Sequence, residues 1–437
     1  MSMKFKSFFL ASALALTTAL AACSGGDTST ETKGGGGSKE EKKPAELRVV
    51  GANHPWTEAI EPLIPEFEKE TGIKVKLEKY FEDQLTQKLS TEFTSGSKSI
   101  DVYMIRPLQE GKLFNINGWA DDISSYTSDA EWDIKDFSPS SIDSLKADEK
   151  MFGIPLVTER EILYYRKDIF EKNNLTPPKT LEEVKAVAEK LNDPKNDFYG
   201  IVSRGQRSPS VTQFSSYLYG FGGDFFVDGK AALDTPEAIE AFKFYGSMLK
   251  DYGPPGVLNM SWPQASGLFG QGKAAMYTDA DSIYPNLLDP AKSTVGDKVG
   301  FVEFPSGPNG QHPYNVTSWG LAMNPKSEHK DASWEFLKWA TSKEIVGKIQ
   351  STGVPGPRQS VWDSPDGTKS FPEELVAVIN KSNEMGKEYD RPLVIKVNEA
   401  RDIIGGVIVA AISGKDVEKA AKDANKQFQE LLDRESK

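Results

Sequence analysis

The chain is almost without cysteine: Cys23 is the single thiol in 437 residues. That excludes an intramolecular disulfide, and the three histidines, His54, His312 and His329, are too scattered to supply a metal-ligand spacing. A basic excess is missing too. Lys and Arg total 52 against 64 Asp and Glu, a net charge of −12, which argues against a nucleic-acid binder with its concentrated cationic face. Charges of both signs are interspersed, so the acidity reads as a solubilising surface rather than an acidic tail. Long apolar runs are also few. Residues 403–414, "IIGGVIVAAISG", fall short of the about 20 apolar residues that cross a bilayer and read as a buried helix. No internal repeat appears, and "YGFGG" at 219–223 lacks the G-x-G-x-x-G spacing of a phosphate loop.

What is present begins at the N-terminus. Lys4 and Lys6 precede an apolar, small-residue stretch at 8–22, the anatomy of a signal peptide. The stretch ends Leu20-Ala21-Ala22-Cys23, which resembles the lipobox of bacterial lipoproteins. That resemblance implies lipid modification of Cys23 and removal of residues 1–22; an ordinary signal peptide cut after A-x-A, with Cys23 incidental, is the alternative. Residues 24–46 are rich in Gly, Ser, Thr and charge and show no hydrophobic periodicity. Such a segment cannot bury enough apolar surface to offset ordering and reads as a flexible tether, roughly 25–30 Å long as a coil. Two acyl chains suffice for stable attachment, so the expected place is the outer face of the bacterial cytoplasmic membrane.

The body follows βα logic. Residues 47–52, "LRVVGA", read as a buried strand. Ile60, Leu63, Ile64 and Phe67 then form one apolar helical stripe that Gly72 ends, and Ile73, Val75 and Leu77 alternate as a strand. A second amphipathic segment (Leu85, Leu89, Phe93) leads to the strand "IDVYMI". Thr180 and Glu183 make a T-x-x-E capping box before Leu181, Val184, Ala188 and Leu191. From Asp416 onward, Val417, Ala420, Ala424, Phe428 and Leu431 mark a last amphipathic helix. Strands alternating with helices predict an α/β architecture with largely parallel sheets.

Six motifs then fall in a telling order: "IPEFEKETGIKVKLEKY", "GIPLVTEREILYYRKDIFEKNNLTPPKTLEEV", "LFGQGKAAMYTDA", "VGFVEFPSGPNG", "TSWGLAMNPKSEHKDASWEFLKW" and "AAISGKDVEKAAKDANKQFQELL". Together they resemble the extracellular solute-binding proteins of ABC sugar importers, the group that includes the maltose-binding protein, across residues 47–437. Within that group "YGIVSRGQ", "YGPPG" and "LLDPAKSTVGDKVGF" look most like binders of sugar alcohols or monosaccharides. The resemblance implies a two-lobed α/β fold of the type II periplasmic-binding-protein kind, with three crossings between lobes and the ligand in the cleft. By motif the crossings fall near 157–161, 316–321 and 355–358. Lobe one is then 47–157 plus 317–356, and lobe two 158–316 plus 357–437. It also implies a cofactor-free monomer that captures its ligand and hands it to the transmembrane subunits of an ABC permease.

Sugar hydroxyls pair with carboxylates, amides and guanidinium forks, and their C–H faces lie against aromatic rings. On that chemistry Trp319, beside Gly320 at the second crossing, is the leading candidate. Glu159, just past "GIPL", is a hydroxyl acceptor or a hinge partner of Arg160 or Arg166. Asp279 in "AAMYTDAD" is the second carboxylate, with Asp281 as its substitute; a helix N-cap near Ser282 is the competing role. Trp56 follows the first strand, Arg106 and Gln109 follow "IDVYMI", Arg204 follows a strand in "VSRGQ", and Trp262 precedes "LFGQGKAAM". Arg358 in "GVPGPRQS" either bonds a ring hydroxyl or locks the hinge. Trp334 and Trp339, on the helix "ASWEFLKWA", read as packing residues. Two other classes share these features: a sugar-sensing or adhesion lipoprotein, and a glycoside hydrolase using Glu159 and Asp279 as acid and base.

Overall fold

The computed structural model describes residues 46–436 apart from positions 129, 131 and 148. The leader, Cys23 and residues 24–45 of the expected tether lie outside the described residues; Glu46 opens the first strand. That strand, β1 (Glu46–Ala52), pairs in parallel with β2 (Lys74–Tyr80) on one edge and β3 (Val102–Ile105) on the other. The apolar stripe between β1 and β2 is not one helix. It is split into α1 (Pro55–Ile60), a tight turn at Glu61–Leu63, and α2 (Ile64–Thr71). Pro62 and Pro65 cause the break, because each removes an N–H donor and restarts the backbone as a first-turn residue. Gly72 then closes α2 with φ 74°, a left-handed cap that glycine adopts without a Cβ clash. Helix α3 (Glu82–Thr94) follows, burying Leu85, Leu89 and Phe93.

The remaining strands of the large sheet are β4 (Ile154–Arg166), β5 (Tyr199–Val202), β6 (Ala274–Ala280), β7 (Val299–Glu303) and β8 (Asn315–Met323). The order is β2-β1-β3-β8-β4-β6-β5, with β7 on the second edge of β4. The sheet is mixed: β8 runs antiparallel to β3 and β4, β6 and β7 run antiparallel to β4, and β5 is parallel to β6. The 13-residue β4 changes partners midway. Residues 154–160 pair with β8, and 161–166 pair with β6 and β7. A register shift between Thr317 and Trp319 interrupts the β4–β8 ladder, the kind of bulge that re-aims a side chain.

The buried apolar residues divide the same way. One core draws on residues 47–157 and 319–354; the others draw on 162–304 and 371–431. The capping box forms as read, with Thr180 and Glu183 closing the start of α4 (Leu181–Leu191). Helix α5 (Ser210–Gly220) is buried along its whole length, and α6 (Trp262–Gly270) lies beside β6. Trp334, on α7 (Lys330–Ala340), stacks on Tyr126 at 5.3 Å inside the first core. Helices α8 (Glu373–Met385), α9 (Val397–Ile412) and α10 (Val417–Glu435) close the chain, and residues 403–412 of "IIGGVIVAAISG" lie in α9, most of them buried. No helix among the described residues is long and apolar enough to cross a membrane.

Candidate functional site

Asp279 is the most fully engaged polar group at the centre of the molecule. Near the end of β6 it is wholly buried, and it accepts hydrogen bonds from Arg204 Nε (2.9 Å) and Nη2, Gln213 Nε2 (3.0 Å), Tyr277 OH (2.7 Å) and the Ala280 N–H. Arg204 comes from the loop just beyond β5, the parallel neighbour of β6, so the ladder itself brings the pair together. Burial works against the Arg204 charge, but Asp279 outweighs it and holds the guanidinium above its usual range. Gln213, on α5, also donates to the buried Tyr314 hydroxyl at 3.0 Å.

Across from this pair stands a wall built on β3 and β8. Arg106 leaves the end of β3, bonds Glu82 (2.9 Å), Glu110 and Thr86, and lies over the Trp319 ring at 5.6 Å. His54 packs its ring 5.6 Å from the same Trp319, and its Nδ1 accepts the Trp56 N–H. Burial pushes the His54 ring down to about 4, against the pull of Glu82. Burial also opposes the Glu82 charge, yet Arg106, His54, Arg204 and Arg391 together hold its carboxyl below the ordinary range. Glu82 therefore feels guanidinium groups from both sides.

Gln109 joins the two walls. Its Nε2 donates to Asn398, and its Oε1 accepts from Arg391 (2.7 Å) and Arg401 (3.0 Å). Arg391 also bonds its neighbour Asp390. Arg401, on α9, donates to three uncharged oxygens: those of Gln109, the Ser208 carbonyl and Thr212. Burial, and then the nearby Arg391, push it down to about 9, with Asp390 opposing.

Glu159 and Glu161, two residues apart, share one face of β4, and both feel the Asp279 charge. Glu159 accepts from the Ser282 hydroxyl, and burial pushes its carboxyl up to about 7, helped by Asp281 and Asp279. Glu161 is wholly buried, and neither of its oxygens has a hydrogen-bond partner among the described residues. Burial raises it well above the ordinary carboxylate range, with Asp279 and Asp390 adding to the effect.

The fold thus gathers Arg204, Asp279 and Glu159 on one side and Arg106, Gln109 and Trp319 on the other, although Trp319 is itself part of the first core, 4% exposed beneath Arg106 and His54. Four other candidates have different surroundings. Asp281 turns to Arg160, at 3.2 Å, both buried. Trp56 lies in the first core at 2% exposure, because it sits on the inner face of α1. Trp262 opens α6, where it packs half-buried against the core; the nearby Met260 carbonyl accepts the Gly205 and Gln206 N–H groups and keeps this turn beside Arg204. Arg358 is 1% exposed and bonds the Thr341, Trp132 and Asp133 carbonyls and the Asp136 carboxylate. All four partners are acceptors, and they engage its Nε and both terminal nitrogens. Sequence reasoning passed over His54, Glu82, Gln213, Tyr314, Arg391, Asn398 and Arg401. Arg401 did carry a signal: a lone cation opening the apolar stretch of α9.

Among the described residues no group of three or more His, Cys, Asp or Glu side chains could hold a metal ion. Asp279 is already bonded by Arg204, Gln213 and Tyr277, so it is poorly placed to act as a base. What remains is a close set of forks, amides and carboxylates beside an aromatic face, suited to holding a polar molecule. Residues 53–346 match the family model described as bacterial extracellular solute-binding protein. The chain belongs to that family. An erythritol/L-threitol-binding protein of Mycolicibacterium smegmatis is 28% identical over 342 residues, 73% of this chain and 71% of that one. An ABC transporter solute-binding protein from Agrobacterium radiobacter, solved with ribitol, superposes with a TM-score of 0.81 at 30% identity, covering 89% of this chain and all of the other. One from Agrobacterium vitis, with bound D-mannitol, gives 0.78 at 26% identity over 89% and 99%. The fold is that of the type II periplasmic binding proteins. This solute-binding protein is a ligand-carrying component of the ABC-transporter type, not an enzyme.

Proposed function

We propose that this solute-binding protein captures a small sugar alcohol between two lobes and delivers it to the permease of an ABC importer. Lobe one would be residues 47–157 plus 317–356 and lobe two 158–316 plus 357–437, hinged where β4 and β8 change partners and at 355–358. Asp279, Arg204, Glu159, Gln109, Arg106 and Trp319 would make the ligand contacts, with Arg391 and Arg401 added from the second lobe. Cys23 would carry the lipid that keeps the body at the outer face of the cytoplasmic membrane. The observation that carries the reading is the bridge from Gln109 to Arg391, Arg401 and Asn398. It brings one side-chain amide and two guanidinium forks together, the kinds of group that pair with hydroxyls. The ligands of the relatives (erythritol or L-threitol, ribitol and D-mannitol) support the same class.

A ligand that binds only the folded state adds RT ln(1 + [L]/Kd), about 2.7 kcal/mol at a hundredfold excess. One or more of erythritol, ribitol and mannitol should therefore raise the melting temperature of the purified protein and be recovered unchanged. A shift from amino acids or peptides alone would overturn the ligand class.

A further inference from the structure

Because side chains alternate along a strand, β4 and β8 also present a second face. Thr158 and Arg160 from β4 and Thr317 from β8 point away from Glu159 and Glu161 and line a pocket of about 130 Å³. Trp362 and Asn383 form its sides, and it shares no lining residue with the site around Asp279. Its charges nearly cancel. Arg160, its one lining cation, is matched by buried Asp281 at 3.2 Å and donates to Asn383 at 2.7 Å. Glu388, exposed, is the one lining carboxylate. No uncompensated cation is left for an anion, and one carboxylate is too few for a divalent metal.

What the pocket has in quantity is hydroxyls and amides, which both donate and accept. Thr317 Oγ1 is the telling atom. The residue is 4% exposed, and this hydroxyl has no hydrogen-bond partner among the described residues. A buried polar group in that state is costly unless something bonds it. Beside it the Trp362 ring is fixed by its Nε1 bond to the Gly356 carbonyl (2.8 Å) and lies under Arg160 at 5.8 Å.

We propose that this pocket is a second binding site, for a neutral three- or four-carbon polyol. Neighbouring hydroxyls would satisfy Thr317 and Asn383, and the C–H side would lie against Trp362. A cavity of about 130 Å³ has room for a molecule of that size. This inference goes beyond the transported ligand and stands whether or not that ligand is a sugar alcohol.

The test uses the indole N–H resonance of Trp362 in the purified full chain, assigned with Trp362→Phe. Titration with glycerol and with erythritol should move it along a saturable curve. Thr317→Val, which keeps the side-chain shape, and Asn383→Ala, at an exposed position, should each weaken that curve about five- to tenfold. Arg401→Met should leave it unchanged while abolishing the melting shift from the transported ligand. A linear, unsaturated drift would overturn the proposal, as would a Thr317→Val curve equal to wild type. Loss of the curve in Arg401→Met would also overturn it, because Trp362 would then be reporting the other site.

Discussion

Replacing Glu159 by Gln removes a carboxyl that folding makes harder to ionise. Burial raises the group from 4.5 to about 7, with Asp281 and Asp279 adding to the effect against the Ser282 hydroxyl and Arg204. Between those two values the folded chain holds a proton that the unfolded chain has released. Stability from this group is therefore complete below 4.5 and is lost as pH rises through about 7. At about 1.4 kcal/mol per pH unit, the window is worth on the order of 3 kcal/mol. Glu159 keeps some contact with solvent, which screens part of this and leaves about 1–3 kcal/mol. Gln does not titrate, and its carbonyl can still accept from Ser282. Urea unfolding without ligand, stepped from the acid side to about pH 8, should show the variant gaining on wild type by that amount as pH rises. Glu161, raised in both proteins, drops out of the difference. Stability curves that stay parallel across the whole window would refute the reasoning.

Asp279→Leu should lower unfolding free energy by about 3–5 kcal/mol, because Arg204 is left buried without its partner; adding Arg204→Met should recover much of the loss in a denaturant double-mutant cycle. Arg358→Lys gives up the fork that reaches Thr341, Trp132, Asp133 and Asp136. It should cost about 1–3 kcal/mol of stability with calorimetric sugar-alcohol affinity unchanged, and a specific loss of affinity would return Arg358 to the ligand site. Cys23→Ala should move the protein from washed membranes to the soluble fraction, and full retention in the membrane would sink the lipid-anchor reading.

The local elements were legible because their signals are local. The Thr180–Glu183 box and the stripe of α3 involve residues three or four apart, and both form as read. Where one stripe proved to be two helices, the sequence held the cause in Pro62 and Pro65, but hydrophobic spacing alone does not register a missing N–H. The site was legible only in pieces. Asp279 and Arg204 each stand at a strand end, yet their pairing depends on β5 lying beside β6, across 75 residues of chain. Arg358 stayed ambiguous because its place next to an expected crossing suits either role. The carbonyls of the 132–136 loop that take up its donors are more than 200 positions away.

Gln109 shows what that long-range pairing means for specificity. Its partners Arg391 and Asn398 lie 282 and 289 positions away, and Arg401 lies 292 away. Its side-chain oxygen accepts one bond from each guanidinium. A molecule entering there must therefore replace those bonds, and affinity is the difference between its own bonds and the ones it displaces. On the sugar-alcohol reading, two neighbouring hydroxyls can accept from Arg391 and Arg401 while a third donates to a carboxylate. An analogue lacking one of them would leave one guanidinium N–H without an acceptor, a loss larger than a single hydrogen bond gains. Discrimination among polyols should thus follow hydroxyl position more closely than chain length.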